Sequence, residues 1–321
     1  MNLGQKIKFW YNNSRPYSIP ITFLSWLAIF VYSLKAGGNA IYGIIAYFGI
    51  ALVHLVANLA DDYFDYKRLI KKSQGFETTK AIKFRYLKDG SATIEELGNV
   101  IIILLLIAGI CGGILFFCSG EYVALFALCG LIVALAYSFL SSRGFGDAAV
   151  ILAYGPLMFE GVYYVMTGNL SLEVLIFSFA CAMFVNAILY AHMLMDFDED
   201  VSVHKTTLCT RLKTKSNALK FLMVFYALGY AFIAILGKLQ HNYLYALTLL
   251  TVPMVLDLYS SLKIYNENDK IVPQAHFWHY PLDNWQERKL NTNAAFFFRF
   301  LYARNISTWF ILLACLAVIF S

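Results

Sequence analysis

Charge is scarce in this sequence. Of its 321 residues only 14% are Asp, Glu, Lys or Arg and 60% are hydrophobic, where a soluble domain usually carries about a quarter charged residues. That shortage, with a mean hydropathy of +0.62, argues against a water-soluble globule. Other familiar chemistry is missing as well. No Gly-rich nucleotide loop or Ser/His/Asp arrangement stands out, and the histidines lack zinc-ligand spacing. The six cysteines form no C-x-x-C pair, and all but Cys209 lie inside apolar blocks, so they read as small apolar filler rather than a redox or metal centre. Nothing points to nucleic acid or to an obligate protein partner.

What the chain does have is apolar runs of membrane-spanning length, which take roughly 20 residues each. They fall at about Pro20 to Ser33, Ala40 to Ala60, Val100 to Cys118, Tyr122 to Phe139, Ala148 to Met166, Glu173 to Met195, Leu219 to Leu236, Tyr243 to Tyr259 and Phe296 to Phe320. The expected fold is an all-α membrane protein of about nine transmembrane helices. The first run follows Lys6, Lys8 and Arg15, but it is too long for a signal peptide and no clear small-residue cleavage site follows, so it reads as a retained helix. The net charge of +5 has a topological use. Long connections after the second, sixth and eighth runs hold Lys67, Arg68, Lys71, Lys72, Lys80, Lys83, Arg85, Lys88, Lys205, Arg211, Lys213 and Lys215, whereas the opposite connections carry little beyond Lys35 and Lys238. The positive-inside rule then places the N-terminus and the long loops in the cytoplasm.

Two acid clusters fall at the cytoplasmic ends of the second and sixth runs. In the first, Asn58, Asp61, Asp62 and Asp65 recur at i, i+3, i+4 and i+7, one face of a helix. Like charges crowded beside a membrane persist most easily when a cation neutralises them. Hard oxygen ligands suit Mg²⁺, which commonly bridges one or two carboxylates to substrate phosphates. In the second, His192, Asp196, Glu199 and Asp200 repeat the pattern, with Asp198 pointing away into solvent. Two such faces on one membrane side form a pair of jaws for a diphosphate, with Mg²⁺ on either side. Lys67, Arg68, Arg143, Lys205 and Arg211 are candidates to clamp its remaining oxygens.

With these motifs the chain resembles the UbiA superfamily of membrane prenyltransferases, most closely its menaquinone-pathway branch. Asn58 to Asp65 looks like that branch's N-x-x-[ND]-D-x-x-D motif. Arg85 to Glu96 is similar to its G-x-[IV]-T-x-x-E loop. Tyr137-Ser138, Arg143 to Asp147, Tyr154-Gly-Pro156 and Gly161 to Val165 resemble its fourth and fifth helices, and Arg15-Pro16 with Pro20 its entry to the first helix. Asp196 to Asp200 followed by Lys205-Thr-Thr207-Leu and Arg211 resembles the second motif and its tail. The chain departs from the branch at His192, Met193 and Met195, where N-N-x-R-D often stands.

The resemblance implies nine helices around a central cavity, a single prenyltransferase domain over 1–321, and cytoplasmic loops at about 61–98, 196–217 and 261–294 capping the site. It implies transfer of a prenyl group from an allylic diphosphate to an aromatic acceptor such as 1,4-dihydroxy-2-naphthoate. Alternatives among acceptors stay open: another phenol, a porphyrin or a lipid. A cation-coupled transporter is the alternative of a different class. Mg²⁺, as two ions, would be held by Asn58, Asp61, Asp62, Asp65, Asp196 and Asp200. Arg15, Lys67, Tyr137, Arg143, His192, Lys205 and Arg211 would meet the substrates. The expected setting is a multi-pass integral membrane protein, in the cell inner membrane if the source is bacterial, with the site facing the cytoplasm. Three further features are read on residues alone. Glu160, inside the fifth run, is expected to make a structural hydrogen bond. Asp257 is expected in solvent, and His276 to Tyr280 as an aromatic anchor at the interface.

Overall fold

The computed structural model describes residues 2–72, 84–202 and 204–321, without the side chains of 68–72. Lys80 and Lys83, and the side chains of Arg68, Lys71 and Lys72, therefore lie outside the described residues. The helices run in the order α1 Leu3–Asn13, α2 Ile19–Lys35, α3 Ala40–Lys72, α4 Arg85–Lys88, α5 Ile94–Ser119, α6 Tyr122–Ser141, α7 Gly146–Leu152, α8 Met158–Thr167, α9 Leu172–Met195, α10 Phe197–Ser202, α11 Leu208–Arg211, α12 Lys215–Leu239, α13 Val252–Glu267, α14 Trp285–Arg288 and α15 Ala294–Ile319. Among the described residues, nine helical stretches are long and apolar enough to cross a membrane, as expected.

Local chemistry sets the helix ends. Thr93 and Glu96 cap the start of α5 reciprocally, satisfying two backbone donors that have no partner in the first turn. Gly120 closes α5 and Gly168 closes α8, both at positive φ, which glycine adopts without a Cβ clash. Between α7 and α8 the chain makes one wide turn over Ala153–Leu157 around Pro156, because proline lacks the N–H that would continue the ladder. That kink opens room beside α3.

α9 is the central post, with 78% of its most apolar window buried against 11% for α5 and α6. The outer faces carry Ile103, Leu106, Ile110 and Phe117 of α5 and Leu125, Leu128 and Ile132 of α6 in the open, as suits helices facing lipid. α9 packs on α12 and α15. Phe184 stacks on Phe310 with ring centroids 3.6 Å apart, and a Cβ at Gly229 would come within 2.6 Å of the Phe184 ring. Only a glycine permits that approach of α12 to α9. Lys35 Nζ donates to the Val318 carbonyl at 2.9 Å, joining the far ends of α2 and α15.

One outlying feature differs from expectation. Asp257 is not simply solvated: it accepts from His279 Nε2 at 2.8 Å, Trp278 Nε1 at 3.1 Å and the Tyr302 hydroxyl at 3.1 Å. The His276 to Tyr280 segment is thus tied down by α13 and α15, while Phe277 remains 85% exposed. Sequence alone hides this because the donors lie 21 to 45 residues beyond Asp257. Glu160 does make a structural bond, accepting from the Ser171 amide at 3.3 Å just before α9.

Candidate active site

A cavity of about 830 Å³ lies between α2, α3, α5, α6, the α7–α8 kink and α9. Its body is lined by aliphatic residues and glycines such as Ile50, Leu105, Gly113, Ala127 and Val162, and its mouth by Arg15, Asn58, Asp61, Tyr137 and His192. Asn58 and Asp61 of the first cluster and His192 of the second therefore line one chamber.

The first motif sits on an unbroken α3. Asp61 and Asp62 are buried. Burying charge is costly unless it is paired, and the pairing comes from Arg15. Its guanidinium forms an ion pair with Asp62 and lies 3.6 Å from Asp61. Burial pulls the Arg15 pKa down, but Asp62 and then Asp61 outweigh it and hold it above its ordinary value. On its other oxygen Asp62 accepts from the Tyr86 hydroxyl at 3.1 Å. Burial and the charge of Asp62 push that phenol well up. Asp65 accepts from Ser138 of α6 at 2.9 Å. Asn58 donates to the Ser14 carbonyl at 2.9 Å and to Ser18 Oγ at 3.2 Å, which commits its amide nitrogen and leaves the carbonyl oxygen as its ligating end.

The second motif is not one helical face. α9 stops at Met195, Asp196 takes a turn conformation (φ −88°, ψ 5°), and α10 restarts at Phe197. The break separates the acids by environment: Asp200 is 2% exposed, while Glu199 is exposed and Asp198 pairs with Lys215. His192 Nε2 lies 3.2 Å from Asp196 Oδ2, and its ring packs edge-on against Phe296 and Phe300. Lys205 reaches Asp200 at 3.1 Å.

The candidate cations divide. Arg15 and Lys205 pair with motif acids. Lys67 instead lies over the Tyr63 ring and donates to its hydroxyl at 2.5 Å. Arg143 stacks on Phe139, 3.4 Å from the ring centroid. Arg211 donates to the Arg143 carbonyl at 2.5 Å and lies over Phe145, so these two arginines stitch the 142–146 loop to the 205–211 segment. A parallel bridge between Arg143 and Thr206 completes the seam.

The donors are carboxylate and amide oxygens, the hard set that Mg²⁺ prefers. Among the described residues no three His, Cys, Asp or Glu side chains converge as a metal cage. That fits an ion that takes one or two protein carboxylates and completes its shell with substrate phosphate and water. Two residues went unselected on sequence grounds: Tyr86 on α4 and His54, which faces the cavity from α3. His54 stands four residues before Asn58, a helical spacing that marks it for the same face.

An apolar chamber among membrane helices, with carboxylates and a half-buried arginine at one end, is built for a substrate with an anionic head and a greasy body. The chain belongs to the UbiA prenyltransferase family, whose profile matches residues 21–280; it is an intramembrane prenyltransferase. The 1,4-dihydroxy-2-naphthoate octaprenyltransferase of Haemophilus influenzae is 24% identical over 224 residues, covering 65% of this chain and 71% of the relative. A solved structure of digeranylgeranylglyceryl phosphate synthase shares the fold with a TM-score of 0.63 at 14% identity, over 97% of this chain and 99% of the other. So does a UbiA homologue from Archaeoglobus fulgidus bound to GPP and Mg²⁺, with a TM-score of 0.54 at 12% identity over 94% and 99%.

Proposed function

We propose that this prenyltransferase moves an allylic prenyl group from its diphosphate onto an aromatic quinone precursor, with 1,4-dihydroxy-2-naphthoate as the acceptor. The observation that carries the reading is the single chamber with Asn58, Asp61 and His192 at its mouth and an apolar body of about 830 Å³. Support for the acceptor comes from the naphthoate octaprenyltransferase relative, and support for Mg²⁺ from the homologue bound to GPP and Mg²⁺.

Asn58, Asp61, Asp65, Asp196 and Asp200 would hold Mg²⁺, with Asp62 joining them when it leaves Arg15. The metal supplies positive charge that neutralises the departing diphosphate. Arg15 and Lys205, already beside the acids, meet the diphosphate oxygens that carry charge as the carbon–oxygen bond breaks. The apolar walls keep water from the allylic carbon, so that a ring carbon captures it as the bond to diphosphate breaks, and the ring regains aromaticity by releasing the displaced proton, or its carboxyl as CO₂. Tyr137 presents an aromatic face at the mouth, where a cation is stabilised. The reading keeps one catalytic domain, the N-terminus and the site in the cytoplasm, and the long loops over the mouth.

The test incubates purified protein in detergent with Mg²⁺, a ladder of prenyl diphosphates and a panel of aromatic acceptors, and identifies products by mass spectrometry. Prenylated naphthoate, lost with EDTA and restored by Mg²⁺, is the expected result. Product with a phenol or a lipid but not with the naphthoate would reassign the acceptor.

A further inference from the structure

One helical turn below Asn58, roughly 6 Å along the α3 axis, the cavity wall carries a second polar station. His54 Nε2 lies 2.9 Å from Ser18 Oγ; its Nδ1 lies 2.5 Å from Thr22 Oγ1 and 3.1 Å from the Tyr154 hydroxyl, and those two hydroxyls are 3.2 Å apart. All four side chains line the cavity. Away from the acidic mouth the lining is otherwise hydrocarbon, aromatic or glycine, with the sulfur side chains Cys111 and Met158 the exceptions. Polar groups in such a wall are costly unless paired, and three separate elements, α2, α3 and the α7–α8 kink, supply these.

Counting protons shows what the station lacks. Ser18 Oγ sits 2.8 Å from the Arg15 carbonyl, which can only accept, so Ser18 donates there. It accepts from Asn58 Nδ2. His54 Nε2 must then be the donor to Ser18, and Nδ1 keeps its lone pair. Two hydroxyls face that one lone pair. One donates to Nδ1, the other donates to the first, and in either order the second oxygen receives no hydrogen bond from any described residue. The station therefore ends in an acceptor turned to an apolar chamber, one turn from the carboxylates.

We propose that His54, Thr22 and Tyr154 form the acceptor-binding station of the enzyme, taking the O–H of a hydroxylated aromatic ring as a donor to the Thr22–Tyr154 oxygen pair. This rests on the prenyl-transfer reading and deepens it. The ring's hydroxyl is recognised here, not a carboxylate, since an anion would meet lone pairs. With the diphosphate at the acids, a ring held one turn deeper stands beside the first carbon of the prenyl chain. The three residues are positioning residues for the acceptor.

The test measures acceptor and prenyl-diphosphate KM separately for wild type, Tyr154→Phe, Thr22→Val and His54→Gln in detergent, with 1,4-dihydroxy-2-naphthoate and its two mono-O-methyl ethers as probes. Acceptor KM is expected to rise tenfold or more in each variant, with prenyl-diphosphate KM within twofold. Wild type should lose at least tenfold on one of the ethers, a penalty that the Tyr154→Phe and Thr22→Val variants no longer show. Unchanged acceptor KM, or both KM values rising together, overturns the station while leaving the prenyl-transfer reading intact. No product from wild type with any acceptor overturns that reading itself. If one variant aggregates, the remaining variants and the ether comparison decide.

Discussion

Arg15 delivers its guanidinium to Asp62 from a left-handed backbone conformation, φ +58°, immediately before Pro16. A non-glycine residue rarely holds that conformation, and a following proline disfavours helical backbone further. Such strain persists where surrounding structure compels it, often at functional sites. Here it points the half-buried Arg15 at a carboxylate that is 2% exposed. Arg15 thus sits against the two carboxylates that the proposed metal and diphosphate would approach.

Removing that partner should be severe. Arg15→Gln removes the charge-assisted bond to Asp62, an interaction of about 3 kcal/mol, and if it acts equally on bound diphosphate in the transition state, kcat/KM for prenyl diphosphate is expected to fall roughly a hundredfold at 1.4 kcal/mol per decade. Tyr86→Phe removes one hydrogen bond to the same group, about 1 kcal/mol, and should cost several-fold. Steady-state kinetics of the two variants at saturating acceptor checks the ranking; equal effects would show that Arg15 acts only as a packing residue.

The acids themselves give a sharper test. Asp62→Ala and Asp196→Ala are each expected to abolish Mg²⁺-dependent turnover with the protein still monodisperse and helical by circular dichroism. Asp198→Ala, changing an exposed residue paired with Lys215, should leave turnover within twofold. Near-normal turnover in Asp62→Ala or Asp196→Ala would remove the two-sided site.

Much of this architecture is legible in the sequence because a bilayer imposes a length on every span and the acids of α3 keep helical spacing. Less legible is whatever depends on a partner far along the chain. Arg143 and Arg211 read as phosphate clamps, yet they meet each other 68 residues apart, and loop lysines and arginines carry no pattern that distinguishes the two fates. The turn at Asp196 is hidden because His192 to Asp200 scans as a continuous helix. Asp257 looked solvated because its three donors come from a later loop and the last span. His54 shares the face of Asn58, but its hydroxyl partners come from α2 and the α7–α8 kink.

The Asp257 cluster predicts a pH response outside the site. His279 accepts from the His276 amide at Nδ1, 2.8 Å, and bonds Asp257 through Nε2, a pattern that requires the neutral ring. Burial lowers its pKa below the ordinary 6.5, Asp257 notwithstanding. With the folded value depressed, the unfolded chain binds more protons as pH drops below 6.5, so stability falls there and is fully present above it. The thermal midpoint should decline between pH 7 and 5.5 more steeply in wild type than in His279→Gln. Parallel curves would assign the decline to other groups.

The seam between the two loops predicts a structural effect with a kinetic signature. Gly144 sits at φ +76°, and a Cβ there would lie 2.9 Å from Arg211 Nε, so even alanine meets both backbone strain, of order 1 kcal/mol or more, and the guanidinium that bridges to Arg143. Arg211 cannot step aside without losing the Arg143 carbonyl and the Phe145 ring, and Lys205, which pairs with Asp200, lies in the same connection. Gly144→Ala should therefore raise prenyl-diphosphate KM several-fold through a displaced Lys205, while acceptor KM stays within twofold. Arg211→Ala should reproduce that split, and the double variant should add little to either single one, because both break the same contact. Additive losses in the double variant would mean that Arg211 touches the diphosphate directly instead of holding the seam.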